Sequence, residues 1–213
     1  MSKRENADSH LQSLLRYFAQ GTRTALSPIA HTDPQINRLM LSNAFPEGSL
    51  RPAAVLIPIV HHEGRYAVVL TQRTEQLSSH PGQVSFPGGR CDAADASTIH
   101  TALRESEEEI GLPPSAVTVL GTLGELRMPS GYCVTPIVGL IADDTPLSPS
   151  PREVAHIFRV PLQLALNVSS FERVRVTTAE GERELLQMHY DGYRIWGATA
   201  TILYHLAQEI ATA

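Results

Sequence analysis

Lysine is almost missing from this chain: Lys3 is the only one, and the other sixteen basic residues are arginines. Arginine forks onto phosphate oxygens better than lysine does, but genome composition produces the same skew, so the bias carries little weight. Positive charge is also in deficit, with a net charge of −5, which excludes the basic field that holds nucleic acid. Cysteine is scarce. Cys91 and Cys133 lie far apart with no CxxC pair, which argues against a disulfide scaffold or a zinc site and for a reducing compartment. Long apolar runs are lacking, and the start MSKRENADSHLQSLL has no apolar core of a signal peptide, so neither a membrane span nor a leader is expected. The final EIATA is not a peroxisomal address. The expected location is the cytoplasm. What is present is 42% hydrophobic residues over 213 positions, enough for one domain with a proper core.

The periodicities predict a mixed α/β layered domain. Leu11, Leu14, Leu15 and Phe18 share one helical face. Residues 21–51 are broken by three prolines, with helical character only around Pro34–Leu41. Residues 1–50 therefore read as an N-terminal helix and an extended lead-in packing on a domain at 51–211. That helix either caps the domain or builds a homodimer. PAAVLIPIV (52–60) and YAVVLTQR (66–73) form a hairpin around His62-Glu63-Gly64-Arg65. The polar connection TEQLSSHPGQ leads to VSF and the breaker Pro87-Gly88-Gly89. A helix is predicted from about Ala96 to Ile110, stopped by Gly111 with Pro113-Pro114 beyond. Strands are expected at 117–126, 132–141 and 173–178, and VAHIFRVPLQLAL (154–166) reads as a strand entering a short helix. LLQMHY-DG-YRIWG is a hairpin turning at Asp191-Gly192, and 198–211 is a helix.

The 96–110 helix carries the chemistry. Its last two turns contain RESEEEIGL, four carboxylates in five positions. Like charges at i,i+3 and i,i+4 repel, and acids are unfavourable near a helix C-terminus, where the macrodipole is negative. No Lys or Arg stands four residues beyond Glu105, Glu108 or Glu109. On a helical wheel those three gather within about 100° on the side away from Ile99, Leu103, Ser106 and Ile110, while Glu107 falls elsewhere. Periodicity alone leaves two readings open: a solvated acidic face, or oxygen ligands awaiting Mg²⁺ or Mn²⁺.

The segment Gly88-Gly89-Arg90-Cys91-Asp92-Ala93-Ala94-Asp95, followed by Arg104-Glu105-Ser106-Glu107-Glu108-Glu109-Ile110-Gly111-Leu112, resembles the box of the Nudix hydrolases. Arg104, Glu105, Glu108, Glu109, Gly111 and Leu112 match its second half. Asp95 stands where a glutamate is usual, the gap to Arg104 is one residue longer than common, and Ser106 replaces an aliphatic residue. The resemblance implies a Nudix-type α/β/α sandwich with a mixed β-sheet. It also implies Glu105, Glu108 and Glu109 as ligands of Mg²⁺ or Mn²⁺, the Gly89 carbonyl completing the shell, and Arg104 steadying the carboxylates. Glu105, Glu109 and Glu153 all remain open as general base.

Upstream, Leu70-Thr71-Gln72-Arg73-Thr74-Glu75-Gln76-Leu77-Ser78-Ser79-His80-Pro81-Gly82-Gln83-Val84-Ser85-Phe86-Pro87-Gly88-Gly89 is similar to an element of the coenzyme A pyrophosphatase branch. That branch carries the aspartate and the longer box. The implied substrate is coenzyme A, with its thioesters or oxidised forms, and the products are 3′,5′-ADP and 4′-phosphopantetheine. Other nucleoside diphosphate derivatives such as ADP-ribose, and a non-catalytic nucleotide-binding module, are the alternatives. Arg73, Gln83, Arg90 and His80 are the expected substrate contacts. Against these stand plainer readings: Arg73 pairing with Glu75 or Asp95, and His80 making a structural loop bond. Trp196 is expected to pack the core rather than stack on a base, and His61-His62 reads as an exposed turn pair.

Overall fold

The computed structural model describes residues 3–19, 27–42, 49–77, 80–178 and 181–212, with residues 3–8 described by their backbone alone. Ser78 and Ser79 of the polar connection, and Pro46 of the lead-in, lie outside the described residues.

The buried apolar run at 52–60 explains the centre of the molecule. A strand covered on both faces reads as continuously hydrophobic, and β1 (Arg51–His62) is buried from Ala53 nearly without break to Val60. It pairs antiparallel with β2 (Arg65–Arg73) and parallel with β7 (Tyr132–Ile141). Next to β2 lie β3 (Val84–Ser85) and β8 (Val154–Pro161), and β4 (Gly88–Arg90) pairs with the first residues of β1. β5 (Val117–Thr122) and β6 (Leu126–Arg127) both pair with β7. Among the described residues these eight strands form one mixed sheet, and β9 (Glu172–Thr178), β10 (Gly181–Tyr190) and β11 (Tyr193–Trp196) form a second, antiparallel one.

On one face of the large sheet, Ala54, Leu56, Val69 and Ile137 pack under Ala102, Ile110 and Leu112 of α3 (Thr98–Ile110) and its exit. The other face, with Ile57, Ile59, Val68 and Leu70, is covered by α1 (Lys3–Ala19), α4 (Leu162–Ala165) and α5 (Gly197–Ala211). The expected α/β/α sandwich is the architecture observed. Leu11, Leu14 and Tyr17 of α1 are buried in this second core.

Two expected boundaries shift and one weak helix signal proves to be a full helix, each for a local reason. The carboxylate helix begins at Thr98, because Ser97 is extended and its Oγ accepts the His100 N–H at 3.1 Å as an N-cap. The run 117–126 is two strands. Register slips between Val119 and Gly121, and after Leu123, still bonded to the Pro136 carbonyl, the chain leaves β7 until β6 begins. Pro34–Leu41 is a full eight-residue helix, α2, started by Asp33 as N-cap with proline at the first position.

Candidate active site

Two features of α3 aim its acids. At the C-terminus Gly111 adopts a left-handed φ of 65°, and the Gly111 and Leu112 N–H groups return to the carbonyls of Glu107 and Ser106. Leu112 is thereby pushed into the core, which fixes the rotation of the last two turns. Ser106 is fully buried, and its hydroxyl is satisfied by the Ala102 carbonyl at 2.6 Å. A polar residue at an aliphatic position therefore costs little here.

The wheel placed Glu109 away from the packed face; the structure corrects this. The packed arc includes Thr101, Ala102, Ser106, Glu109 and Ile110, so Glu109 faces the sheet with its side chain only 5% exposed. The reason is that β4 as well as β1 packs on α3, which widens the buried arc. Glu109 Oε2 accepts the Gly88 N–H at 3.2 Å, and Arg73 Nη1 stands 3.8 Å from Oε1. Burial pushes its carboxyl up to about 8, with the Gly88 N–H and Arg73 opposing and Glu105 and Glu153 adding to the rise. Glu105 is also pushed up, first by burial, while Arg104 opposes and Glu108 and Glu153 reinforce.

Glycine is needed on both sides of this contact. A Cβ on Gly89 would sit 2.5–2.6 Å from the Glu105 carboxylate, and one on Gly88 would strike the Ala54 carbonyl and Val55 backbone. The Gly-Gly turn thus lets β4 lie directly against both acids.

Arg104 organises the outer side. Its Nε and Nη2 bond Asp95 Oδ1 and Oδ2, both at 3.0 Å. Nη1 reaches Glu105 Oε1 at 3.0 Å and Glu108 Oε2 at 3.2 Å, while Nη2 also bonds the Arg90 carbonyl. Asp95, whose side chain is only 3% exposed, further accepts from the Asp92 N–H and the Thr101 hydroxyl. The Arg104 fork, and then these donors, hold its carboxyl well below the usual range.

A cavity of about 450 Å³ opens beside Gly88, within the size range of small-ligand sites. Arg73, His80 and Gln83 line it, together with the apolar Val55, Phe86 and Val134. Arg73 Nε is buried without a hydrogen-bond partner.

The structure therefore brings together Glu105, Glu109, Gly88, Gly89 and Arg73, with His80 and Gln83 on the adjoining wall. Glu108 is different: its side chain is 59% exposed and turned to Arg104. Arg90 is exposed and outside the cavity lining, contributing its carbonyl to Arg104 instead. Arg73 pairs with neither Glu75 nor Asp95, the two acids considered from sequence; its partner is Glu109. Trp196 is half-buried on the cavity wall rather than enclosed in the core. His31, Asp33 and Glu184 also line the cavity and were missed. The Asp33-Pro34 helix start was a readable signal, but nothing local says that a helix start faces a distant strand.

Among the described residues no three His, Cys, Asp or Glu side chains form a ready-made ligand cage. Mg²⁺ needs no such cage, since one or two carboxylates plus substrate phosphates suffice for it. Glu105 and Glu109 supply oxygen-only donors, both pushed up first by burial and Glu109 also by Glu105, and a hard divalent cation would favour their ionised forms. The donor set fits such an ion.

A helix-covered mixed sheet whose carboxylate helix closes on a Gly-Gly turn beside a cavity defines a Nudix-type hydrolase. The chain belongs to the Nudix family: the NUDIX domain matches residues 50–181. The uncharacterized Nudix hydrolase NudL of Yersinia pestis (strain Pestoides F) is 42% identical over 178 residues, 84% of this chain and 89% of the relative. The NudL protein of Yersinia pseudotuberculosis serotype O:1b (strain IP 31758) matches to the same extent. In fold, the crystal structure of RenU, a Nudix hydrolase from M. smegmatis, superposes with a TM-score of 0.51 at 23% identity, covering 76% of this chain and 86% of that one. Nudix hydrolases generally use divalent metal ions. Among the described residues no helix is long and apolar enough to cross a membrane.

Proposed function

We propose that this protein is a cytoplasmic, Mg²⁺- or Mn²⁺-dependent hydrolase of the diphosphate bond of coenzyme A and its derivatives, releasing 3′,5′-ADP and 4′-phosphopantetheine. The observation that carries this reading is spatial. The 70–89 element, which resembles the coenzyme A branch, places Arg73, His80, Gln83, Phe86 and Gly88 on the wall of one cavity, and that wall runs into Glu109.

Glu105 and Glu109 would hold the cation, with Glu108 released from Arg104 and the Gly89 carbonyl as further oxygen donors. The ion supplies charge neutralisation and polarisation of the diphosphate oxygens. Arg104, locked by Asp95, positions the Glu105 carboxylate. The unpaired Arg73 Nε finds its acceptor in a substrate phosphate oxygen, since a buried donor left unpaired is costly. Gln83 and His80 orient the arm that enters the cavity, and Arg90 pairs with phosphate charge outside it. Water attacks phosphorus and loses its proton to one of Glu105, Glu109 and Glu153. Glu153 is exposed and acts electrostatically on both of the others.

The test is a panel of coenzyme A, an acyl thioester and ADP-ribose, each with Mg²⁺, Mn²⁺ or EDTA, with products separated by chromatography. Metal-dependent release of 3′,5′-ADP, with kcat/KM for coenzyme A far above that for ADP-ribose, supports the reading. Equal or faster cleavage of ADP-ribose refutes the substrate and leaves the site.

A further inference from the structure

The lead-in crosses the cavity as a strap, tied at both sides. On one side the Ile29 N–H bonds the Glu125 carbonyl at 2.9 Å, and His31 Nε2 pairs with the Arg127 carbonyl. Gly124 permits this approach, because any Cβ there would strike the Ser27 carbonyl. On the other side Asp33 reaches the second sheet. Its Oδ1 caps α2 by accepting from the Gln35 and Ile36 N–H groups at 2.8 and 3.0 Å, and its Oδ2 accepts from the Glu184 N–H at 2.9 Å.

That last bond fills a gap in the sheet. β11 pairs with β10 only from Gln187 to Tyr190, so at Glu184 the strand has β9 on one side and the strap on the other. Asp33 is 5% exposed, and His31, Asp33, Ile36 and Glu184 all face the cavity. A buried carboxylate needs full hydrogen bonding to persist, and three backbone donors provide it.

We propose that Asp33 is a positioning residue for substrate: by clamping the strap to Glu184 it fixes the cavity wall that recognises the arm on the non-nucleotide side of the diphosphate. This rests on the reading that the cavity receives part of the substrate. The wall acts on the length and shape of that arm, and the phosphorus chemistry at Glu105 and Glu109 does not depend on it.

The two oxygens of Asp33 do separate jobs, which makes the proposal testable. Asparagine caps helices as well as aspartate does, but it has a single acceptor oxygen. Asp33→Asn therefore keeps α2 and loses the Glu184 bond, whereas Asp33→Ala loses both. Steady-state kinetics are measured for each variant on coenzyme A and on a short analogue that keeps the nucleotide, ADP bearing a 3′-phosphate and esterified with methanol at its terminal phosphate. Asp33→Asn is expected to raise KM for coenzyme A roughly tenfold, the scale of one lost bond to a charged acceptor. Its kcat on coenzyme A, and both constants on the short analogue, stay within about twofold, and Glu is expected not to rescue Asp at this tight site. Equal changes on both substrates, or a lowered kcat with unchanged KM, overturn the proposal and leave Asp33 a purely structural residue. If wild type does not cleave coenzyme A, the substrate reading has failed. The strap is then judged by the same KM split between the derivative that is cleaved and the methyl ester.

Discussion

Arg104 and Asp95 face each other through two parallel bonds, Nε to Oδ1 and Nη2 to Oδ2, each 3.0 Å long. This forked pair occupies the place where the chain departs from the usual box, with aspartate for glutamate and one more residue before the arginine. The shorter acid reaches Arg104 from a turn in which Asp95 also accepts the Asp92 N–H. The fork leaves Nη1 free for Glu105 and Glu108. Asp95→Asn breaks the fork and lets Arg104 lean on Glu105. Such supporting contacts typically matter by about 10–100-fold, so kcat should fall by that range while KM changes little. The pH dependence has a definite sign. The Asp95 carboxyl is depressed in the folded chain, so its stabilisation is present above the ordinary carboxylate pKa and is lost as pH falls. The gap in Tm between wild type and Asp95→Asn should therefore close as pH drops below about 4. A gap that persists in acid would mean the pair is not what stabilises the turn.

Gly89→Ala and Gly88→Ala should fail in different ways. On Gly89 the new methyl meets only the end of the Glu105 side chain, which can swing aside. The fold should survive, and kcat should fall on the order of 10²-fold as a preorganised charge is displaced. On Gly88 the methyl meets the backbone at Ala54 and Val55, and its φ of 152° is one that side-chain-bearing residues rarely adopt. That variant should lose Tm first. Thermal unfolding alongside turnover separates the two, and an active, stable Gly88→Ala would contradict the packing of β4 on β1.

The carboxylate helix was legible because its signals are local: an apolar face at helical spacing, a stop at Gly111, and acids with no basic residue four positions beyond them; its start was read two residues early because the Ser97 cap was overlooked. The two-faced burial of β1 was legible from its unbroken apolar run. Glu109 was misplaced because a wheel knows only its own helix, and the Gly88 backbone that bonds this acid lies 21 residues away in sequence. The cavity was half legible. Arg73, His80 and Gln83 sit on one recognisable stretch, whereas Asp33 and Glu184 meet across about 150 residues through a side chain-to-backbone bond that leaves no spacing pattern. Trp196 went astray for the same reason, since an apolar ring beside a helix start reads as core until the facing wall is known to be missing.

Arg73 serves two partners, Glu109 now and a phosphate in the proposed complex. Arg73→Lys keeps the charge but loses the fork and the buried Nε donor. KM for coenzyme A should rise on the order of tenfold in Arg73→Lys and further in Arg73→Ala. In 1 M salt the wild-type and Ala values should approach each other, because screening weakens the charge contribution. A lysine variant with wild-type KM would show that only charge, and no directed bond, acts at this position.

Glu109→Gln links stability to function most directly. In the metal-free protein Glu109 holds its proton up to about 8, against 4.5 for an ordinary glutamate, so the folded chain binds a proton that the unfolded one has released. The stabilisation this gives is full below the unfolded value and declines as pH rises through that window. In EDTA, wild-type Tm should therefore fall relative to that of Glu109→Gln between about pH 5 and pH 8, because the other shifted groups, Glu105, His31 and His205, act alike in both proteins. At the upper end the variant should be the more stable protein, and its kcat should nonetheless be lower on the order of 10²-fold or more. Saturating Mg²⁺ should remove most of the wild-type slope, since the ion favours the ionised carboxylate over the protonated one. Scanning calorimetry across that pH range, with EDTA and with Mg²⁺, measures all of this. A wild-type slope unchanged by Mg²⁺ would place the ion away from Glu109 and leave Glu105 as the principal ligand on α3.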